Sequence, residues 1–280
     1  MILSFITWNA DPVAFTIPFI DRGVRWYGFA FAAGFALGLW MVSKIWKNEK
    51  LNIDWYEKLF YYVFISATIG ARLGHCLFYN SDYYLAHPVE ILKIWEGGLA
   101  SHGGTLGIII AIWIYSKKVT HKSMLWTFDR LVIPVGFVAA LIRLGNLMNS
   151  EVYGRSTDMP WGFRFVKDPQ WFWPISQGGS GALPCHPTQI YEALCYTITG
   201  LICVWMYWKR KDYKYQGLIF GVFFIGIFLT RFFIEYLKKN QESFEEGMLL
   251  NMGQLLSIPF IIAGFWFAYK GLKERAKSLK

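Results

Sequence analysis

The amino-acid sequence predicts an all-α integral membrane protein of seven transmembrane helices. The N-terminus lies outside, the C-terminus is cytoplasmic, and the loop between helices four and five forms a small extracytoplasmic cap. Three observations carry this expectation. Hydrophobic residues make up 55% of the 280 and charged residues only 17%, against about 25% charged in soluble domains. The apolar residues gather in seven runs, at about 26–45, 59–79, 99–116, 130–148, 190–208, 217–237 and 251–269, and a span needs about 20 mostly apolar residues. Lys and Arg fall unevenly on alternate connections, sixteen on one set and eight on the other, with four inside the runs. Positive charge stays on the cytoplasmic side, which sets the orientation. Placed this way, the +9 net charge follows topology and does not call for nucleic acid.

The elements follow in order as parts of one polytopic domain, residues 1–280. The N-terminus lacks the basic flank, short apolar core and small-residue cleavage site of a removable signal peptide. Its stretch "FITWNADPVAFTIPFI" reads as an aromatic segment lying at the membrane interface. The first span opens on Arg25 and Tyr27, and the second carries Arg72 and His75 late in its course. Residues 80–98 include "HPVEILKIW", a short amphipathic surface helix starting near Pro88. The third span opens on His102 inside "EGGLASHGGTLG".

The fourth span ends in "LIRLGNLMNSEVYGR", which places Arg143, Asn146 and Asn149 in its last turns and Glu151 and Gly154 just beyond; Asp129 and Arg130 flank its inner start. Residues 149–188, with Trp161, Trp171, Trp173 and "QGGSGALP", give enough chain for a cap but too little for an independent core. Gln189, Tyr191 and Glu192 open the fifth span, Arg231 and Glu235 end the sixth, and Asn251 and Gln254 open the seventh. Arg231 and Glu235, four apart on one helix face, form an expected ion pair.

In the predicted orientation these groups share the outer leaflet, while the inner halves are nearly free of polar residues. An arginine at mid-span costs about 2.5–3.5 kcal/mol on translocon scales, and any one of them is explained by snorkelling or structural pairing. Several arginines and histidines at one depth point further, to an anionic partner such as a phospholipid head group. The glycines around His102 fit either a phosphate at a helix N-terminus or close helix packing. Cys76, Cys185, Cys195 and Cys203 show no metal-ligand or redox spacing, and the sequence calls for no metal or cofactor. A transporter or flippase for an anionic lipid or metabolite is the alternative class, but it would place polar residues through both leaflets, and no internal repeat is evident. An intramembrane hydrolase would need a Ser–His pair, and no intramembrane serine has such a setting.

"RLGNLMNSEVYG" resembles the Arg-x-Gly-Asn-x-x-Asn-x-Glu-x-x-Gly motif of bacterial prolipoprotein diacylglyceryl transferases. "RWYGFAFAAG", "GARLGH", "EGGLASHGGTLG", "HPTQIYEA", "RFFIEYL" and "NMGQLLSIP" match further family blocks, in family order across residues 25–260. The resemblance implies the first step of bacterial lipoprotein maturation: transfer of diacylglyceryl from phosphatidylglycerol to the lipobox cysteine of a preprolipoprotein signal peptide. Glycerol phosphate leaves, at the outer face of the cytoplasmic (inner) membrane. It implies Arg143 and Arg231 as catalytic residues holding the head group and leaving phosphate, and His102 as the base for the thiol. Asn146, Tyr27, Glu151 and Gly154 match substrate-binding positions. Arg72, His75, Gly103, Gly104, Gln189, Glu192, Glu235 and Gln254 are implied as supporting residues. Two positions depart from the family pattern: Thr105 follows the glycines where leucine is common, and Ile227 stands where some members carry a tyrosine.

Overall fold

A backbone in hydrocarbon must satisfy its own hydrogen bonds, and each apolar run folds as helix. The computed structural model describes residues 5–17, 22–94, 97–168, 183–238, 245 and 247–279. Helix α1 is Trp26–Asn48, α2 Ile53–Phe78, α3 Ser81–Ala86, α4 Ser101–Tyr115 and α5 Met124–Met148. Helix α6 is Thr188–Trp208, α7 Leu218–Phe224, α8 Thr230–Glu235 and α9 Met252–Ser278. A wide π-helical turn, Ile225–Leu229, joins α7 to α8. Helices α1, α5, α6, the α7–α8 stretch and α9 are each long and apolar enough to cross a membrane. The protein is a mostly helical membrane protein. The other two expected spans, α2 and α4, are helical but fall short of that measure. Tyrosines, Arg72 and His75 dilute the apolar content of α2, and α4 has 15 residues before a π-helical turn at Ser116–Thr120.

Helix ends differ from the apolar runs where polar residues can still be helical. Helix α2 begins at 53, not 59, because the Asn52 side chain accepts the Asp54 N–H at 3.0 Å and caps the first turn. Helix α5 begins at 124, not 130, so Asp129 and Arg130 lie inside the helix, not beside it. Helix α9 continues through its basic tail to Ser278.

The class is mostly helical rather than all-helical, because the described residues include four short strands. Strand β1 is Ile6–Trp8, β2 Val13–Ile17, β3 Arg22–Arg25 and β4 Phe163–Phe165. β2 and β3 form an antiparallel pair, and β1 runs parallel to β4 with Thr7 opposite Arg164. The expected aromatic interfacial segment is therefore strand in its described residues. Trp8 fixes it by donating its indole N–H to the Leu147 carbonyl at 2.9 Å. Leu147, Tyr153, Phe163, Phe165 and Cys185 form a small core beneath. There the Tyr153 hydroxyl donates to Asp168 at 2.5 Å, and burial together with that carboxylate holds Tyr153 well above the usual phenol range. In the 149–188 loop, Trp171, Trp173 and most of "QGGSGALP" lie outside the described residues.

The surface helix expected from Pro88 is instead a single 3-10 turn, Pro88–Leu92, after α3. Arg72 gathers this segment: its guanidinium takes the carbonyls of Glu90 at 2.6 Å, Ile91 at 3.0 Å and Gly97 at 2.6 Å, while the Glu90 carbonyl also accepts the Lys93 N–H at 3.2 Å. Gly97 and Gly98 then turn the chain at φ +91° and +66°.

The chain divides into two compact units, Met1–Met41 with Asp129–Lys280, and Val42–Phe128. In the smaller unit α2 packs on α4 through facing G-x-x-x-G pairs, Gly70 and Gly74 against Gly103 and Gly107, which lets the backbones touch. Trp46, Trp55, Tyr56 and Trp126 interlock their rings in the same unit. In the larger unit Tyr27 of α1 packs on Gly145 of α5, and Gly221 of α7 packs on Gly264 and Ala268 of α9. Asp129 accepts the Gly217 N–H at 2.6 Å and the Phe220 N–H at 2.9 Å, capping α7 from a neighbouring helix.

A side chain on Gly70 would meet the Gly103 carbonyl oxygen, whereas one on Gly28 meets nothing within 4 Å. Gly70→Ala is expected to destabilise the protein by about 1–3 kcal/mol. Gly28→Ala should be neutral or slightly stabilising, since alanine is favoured over glycine in a helix by up to about 1 kcal/mol. Thermal unfolding in detergent compares them; equal unfolding temperatures would refute the packing argument.

Candidate active site

In the larger unit the last turns of α5, the first turns of α6 and the end of α8 bring their charged residues together. Glu192 is the hub. Its side chain is 0% exposed and meets Arg143 Nε at 2.9 Å and Lys238 Nζ at 2.9 Å, while the Tyr196 hydroxyl donates to it at 3.2 Å. Lys238 also lies 3.4 Å from Glu235, and Arg231 Nε lies 3.9 Å from Glu235. The pair expected from the four-residue spacing is thus present at the edge of contact range, and Lys238 is the nearer cation. A buried carboxylate must be paired to persist; Glu192 meets Arg143 closely at Nε, and Glu235 has Arg231 at the edge of contact range. The arginine side chains retain some exposure, 19% for Arg143 and 35% for Arg231.

A second shell of bonds fixes the chain around this cluster. Arg143 Nη1 donates to Asn146 Oδ1 at 3.2 Å, and Asn146 donates to Glu151 at 2.8 Å. Gln189 donates to the Glu151 carbonyl at 2.7 Å, and Thr188 donates to that of Val152 at 3.1 Å. Gly154 pairs with Lys238 in an isolated bridge and donates its N–H to the His186 carbonyl at 2.9 Å. A side chain there would meet the Leu237 carbonyl and the side chains of His186 and Thr188 within 3.0 Å, so close backbone approach requires glycine. Gln254 and Asn251 form a reciprocal capping box at the start of α9. Glu235 lies against that same helix start, at Gly253, where the positive end of the helix dipole favours an anion.

The smaller unit holds the remaining predicted residues. Arg72 is buried and bonded to loop carbonyls, as described above. His75 stacks on Tyr79 at 5.6 Å and meets Tyr84 edge-on at 6.0 Å. His102, in the first turn of α4, is exposed and packs edge-on against Phe78 at 5.4 Å. Gly103 and Gly104 are buried against α2, so helix packing accounts for them without a ligand. Among the described residues no group of three His, Cys, Asp or Glu could hold a metal ion.

The sequence model of the family described as prolipoprotein diacylglyceryl transferase matches residues 12–270. This chain belongs to that family. A curated relative from Porphyromonas gingivalis, named phosphatidylglycerol–prolipoprotein diacylglyceryl transferase, is 54% identical over 97% of this chain and 96% of its own length. Relatives of the same name from Tolumonas auensis and Bacteroides fragilis are 42% and 40% identical, over 96% and 99% of this chain and 99% of each relative.

For this prolipoprotein diacylglyceryl transferase family member, the structure joins Arg143, Asn146, Glu151, Gln189, Glu192, Arg231 and Glu235 in one network. Tyr27 touches the same helix at Gly145. Arg72, His75 and His102 belong to the other unit. Two participants were not singled out from sequence. Lys238 reads as one more loop charge, although its place seven residues after Arg231 and three after Glu235 puts it on their face. Tyr196 lies one turn after Glu192 and is buried with Ala140 and Ala193, where Ile227 packs against them.

Glu192→Gln leaves Arg143 and Lys238 without their shared carboxylate. Breaking a buried pair costs about 3–5 kcal/mol, so unfolding in detergent should occur at much lower temperature. Glu151→Gln, at an exposed residue, should cost less than about 1 kcal/mol. Equal losses would show that Glu192 is not the hub.

Proposed function

We propose that this protein transfers the diacylglyceryl group of phosphatidylglycerol to the lipobox cysteine of a preprolipoprotein signal peptide. The observation that carries the reading is the pair of arginines, Arg143 at 2.9 Å from buried Glu192 and Arg231 at 3.9 Å from buried Glu235, within a chain of this family. Charge-assisted, paired hydrogen bonds from guanidinium groups suit a phosphate. The proposed topology is seven spans with the N-terminus outside, and residues 149–188 cap the outer side. The proposed site faces the outer leaflet of the bacterial cytoplasmic membrane.

In this reading the cysteine sulfur forms a C–S bond to the glyceryl carbon that carries the phosphate ester. The carbon–oxygen bond breaks, and glycerol phosphate leaves with the electron pair. Arg143 and Arg231 stabilise the charge that develops on the leaving phosphate, the kind of preorganised contact that lowers a barrier most. Thiolate is the reactive form, and a free cysteine has a pKa of about 8.5, so a base is useful at neutral pH. We assign that role to His102, whose exposed ring has no hydrogen-bond partner among the described residues. Asn146, Tyr27, Glu151 and Gly154 shape the head-group site, and Gln189, Glu192, Glu235 and Gln254 support it.

Purified protein given phosphatidylglycerol and a lipobox peptide should yield the diacylglyceryl thioether, read by mass spectrometry. Arg143→Ala should lose about 100- to 1000-fold in turnover, as for a removed oxyanion donor, while remaining inserted. His102→Gln should be slow at neutral pH and recover as the pH approaches that of the free thiol. Absence of product from folded wild-type protein sinks the transferase reading, and an unaffected His102→Gln rate removes the base assignment.

A further inference from the structure

We propose that Lys238 is a positioning residue for both arginines, a role resting on the transferase reading above. The geometry is one continuous chain of alternating charge: Arg143, Glu192, Lys238, Glu235, Arg231, with successive contacts of 2.9, 2.9, 3.4 and 3.9 Å. Lys238 is its centre and its most buried cation, with a side chain 4% exposed. The two carboxylates flanking it are themselves 0% and 3% exposed. Glu192 Oε2 and Glu235 Oε2 have no hydrogen-bond partner among the described residues, while Glu192 Oε1 accepts from Lys238 and Tyr196.

The backbone around Lys238 is fixed independently of its ammonium group. Its carbonyl accepts the Arg155 Nε–H at 2.8 Å, its N–H donates to Glu235, and it lies opposite Gly154 in an antiparallel bridge. The ammonium group is therefore presented at a set place, between two acids that come from different helices. Removing its charge leaves two buried carboxylates with two arginines as their remaining cations. Each guanidinium would then turn inward to neutralise its acid with more than Nε. The arginine Nη groups, which the proposed chemistry needs for a phosphate, would be drawn away from it. Lys238 thus acts through Glu192 and Glu235, at a distance from any substrate.

The consequence falls on the lipid substrate first. A misplacement of about 1 Å can cost on the order of 100-fold in rate, so Lys238→Met in the full chain should lower kcat/KM for phosphatidylglycerol by about that factor. The loss should appear as a raised KM for the lipid together with reduced kcat, and phosphatidylglycerol micelles should no longer stabilise the variant against heat more than phosphatidylcholine micelles do. Lys238→Arg, which keeps the charge, should recover most of the activity and the lipid-specific stabilisation. If Lys238→Met does not fold, Lys238→Gln, which keeps length and hydrogen bonding without charge, serves in its place. Wild-type kcat/KM in the uncharged variant overturns the proposal. So does equal impairment of the uncharged and arginine variants with the KM unchanged, which marks a scaffold residue. An inactive wild-type protein would instead bring down the transferase reading, and this inference with it.

Discussion

Glu192 carries a carboxylate with no exposed surface in a helix of membrane-spanning length, and the larger unit is organised around pairing it. Breaking a buried ion pair costs about 3–5 kcal/mol, a large share of a net stability of about 5–15 kcal/mol. Two cations on Glu192, a tyrosine hydroxyl beside it, and a second acid sharing one of those cations follow from that constraint. They also dictate what the network shows to the outside. Both acids and Lys238 are enclosed, and the two arginine side chains keep what exposure the chain of charges has.

Close backbone packing makes such an arrangement possible. Gly145 admits Tyr27, Gly154 lets the loop after α5 meet the chain after α8, and Gly253 leaves room for the Glu235 carboxylate at the start of α9. The smaller unit uses the same device for a different end. Its facing glycine pairs hold α2 on α4, while Arg72 gathers the loop carbonyls between them. Arg143 and Arg72 are both arginines late in apolar helices, yet one meets a carboxylate and keeps some exposure, and the other is consumed by backbone.

That difference marks the limit of what could be read from sequence. The helices were legible because apolar runs of spanning length have few other solutions, and Arg143, Asn146 and Glu151 were legible because a long motif spaces them. Two features were not. β1 pairs with β4 across more than half the chain, and no local pattern announces a partner so distant. Lys238 sits in a segment whose charge looks like loop charge, and only the proximity of α6 turns it into a buried centre. Glu192 was placed among supporting residues because sequence shows that an acid is present but not how many cations reach it. The short helix expected at Pro88 is present as a 3-10 turn, and a residue eighteen positions earlier, Arg72, bonds its Glu90 carbonyl.

In the proposed function, the buried acids direct Arg143 and Arg231 at one anionic group. The most direct measurement is an experimental structure of the full chain with phosphatidylglycerol bound. The account predicts guanidinium nitrogens of both arginines at about 2.7–2.9 Å from the lipid phosphate, with Glu192 and Glu235 still on their Nε atoms. A phosphate bound elsewhere, with Arg143 and Arg231 turned away from it, would contradict the account.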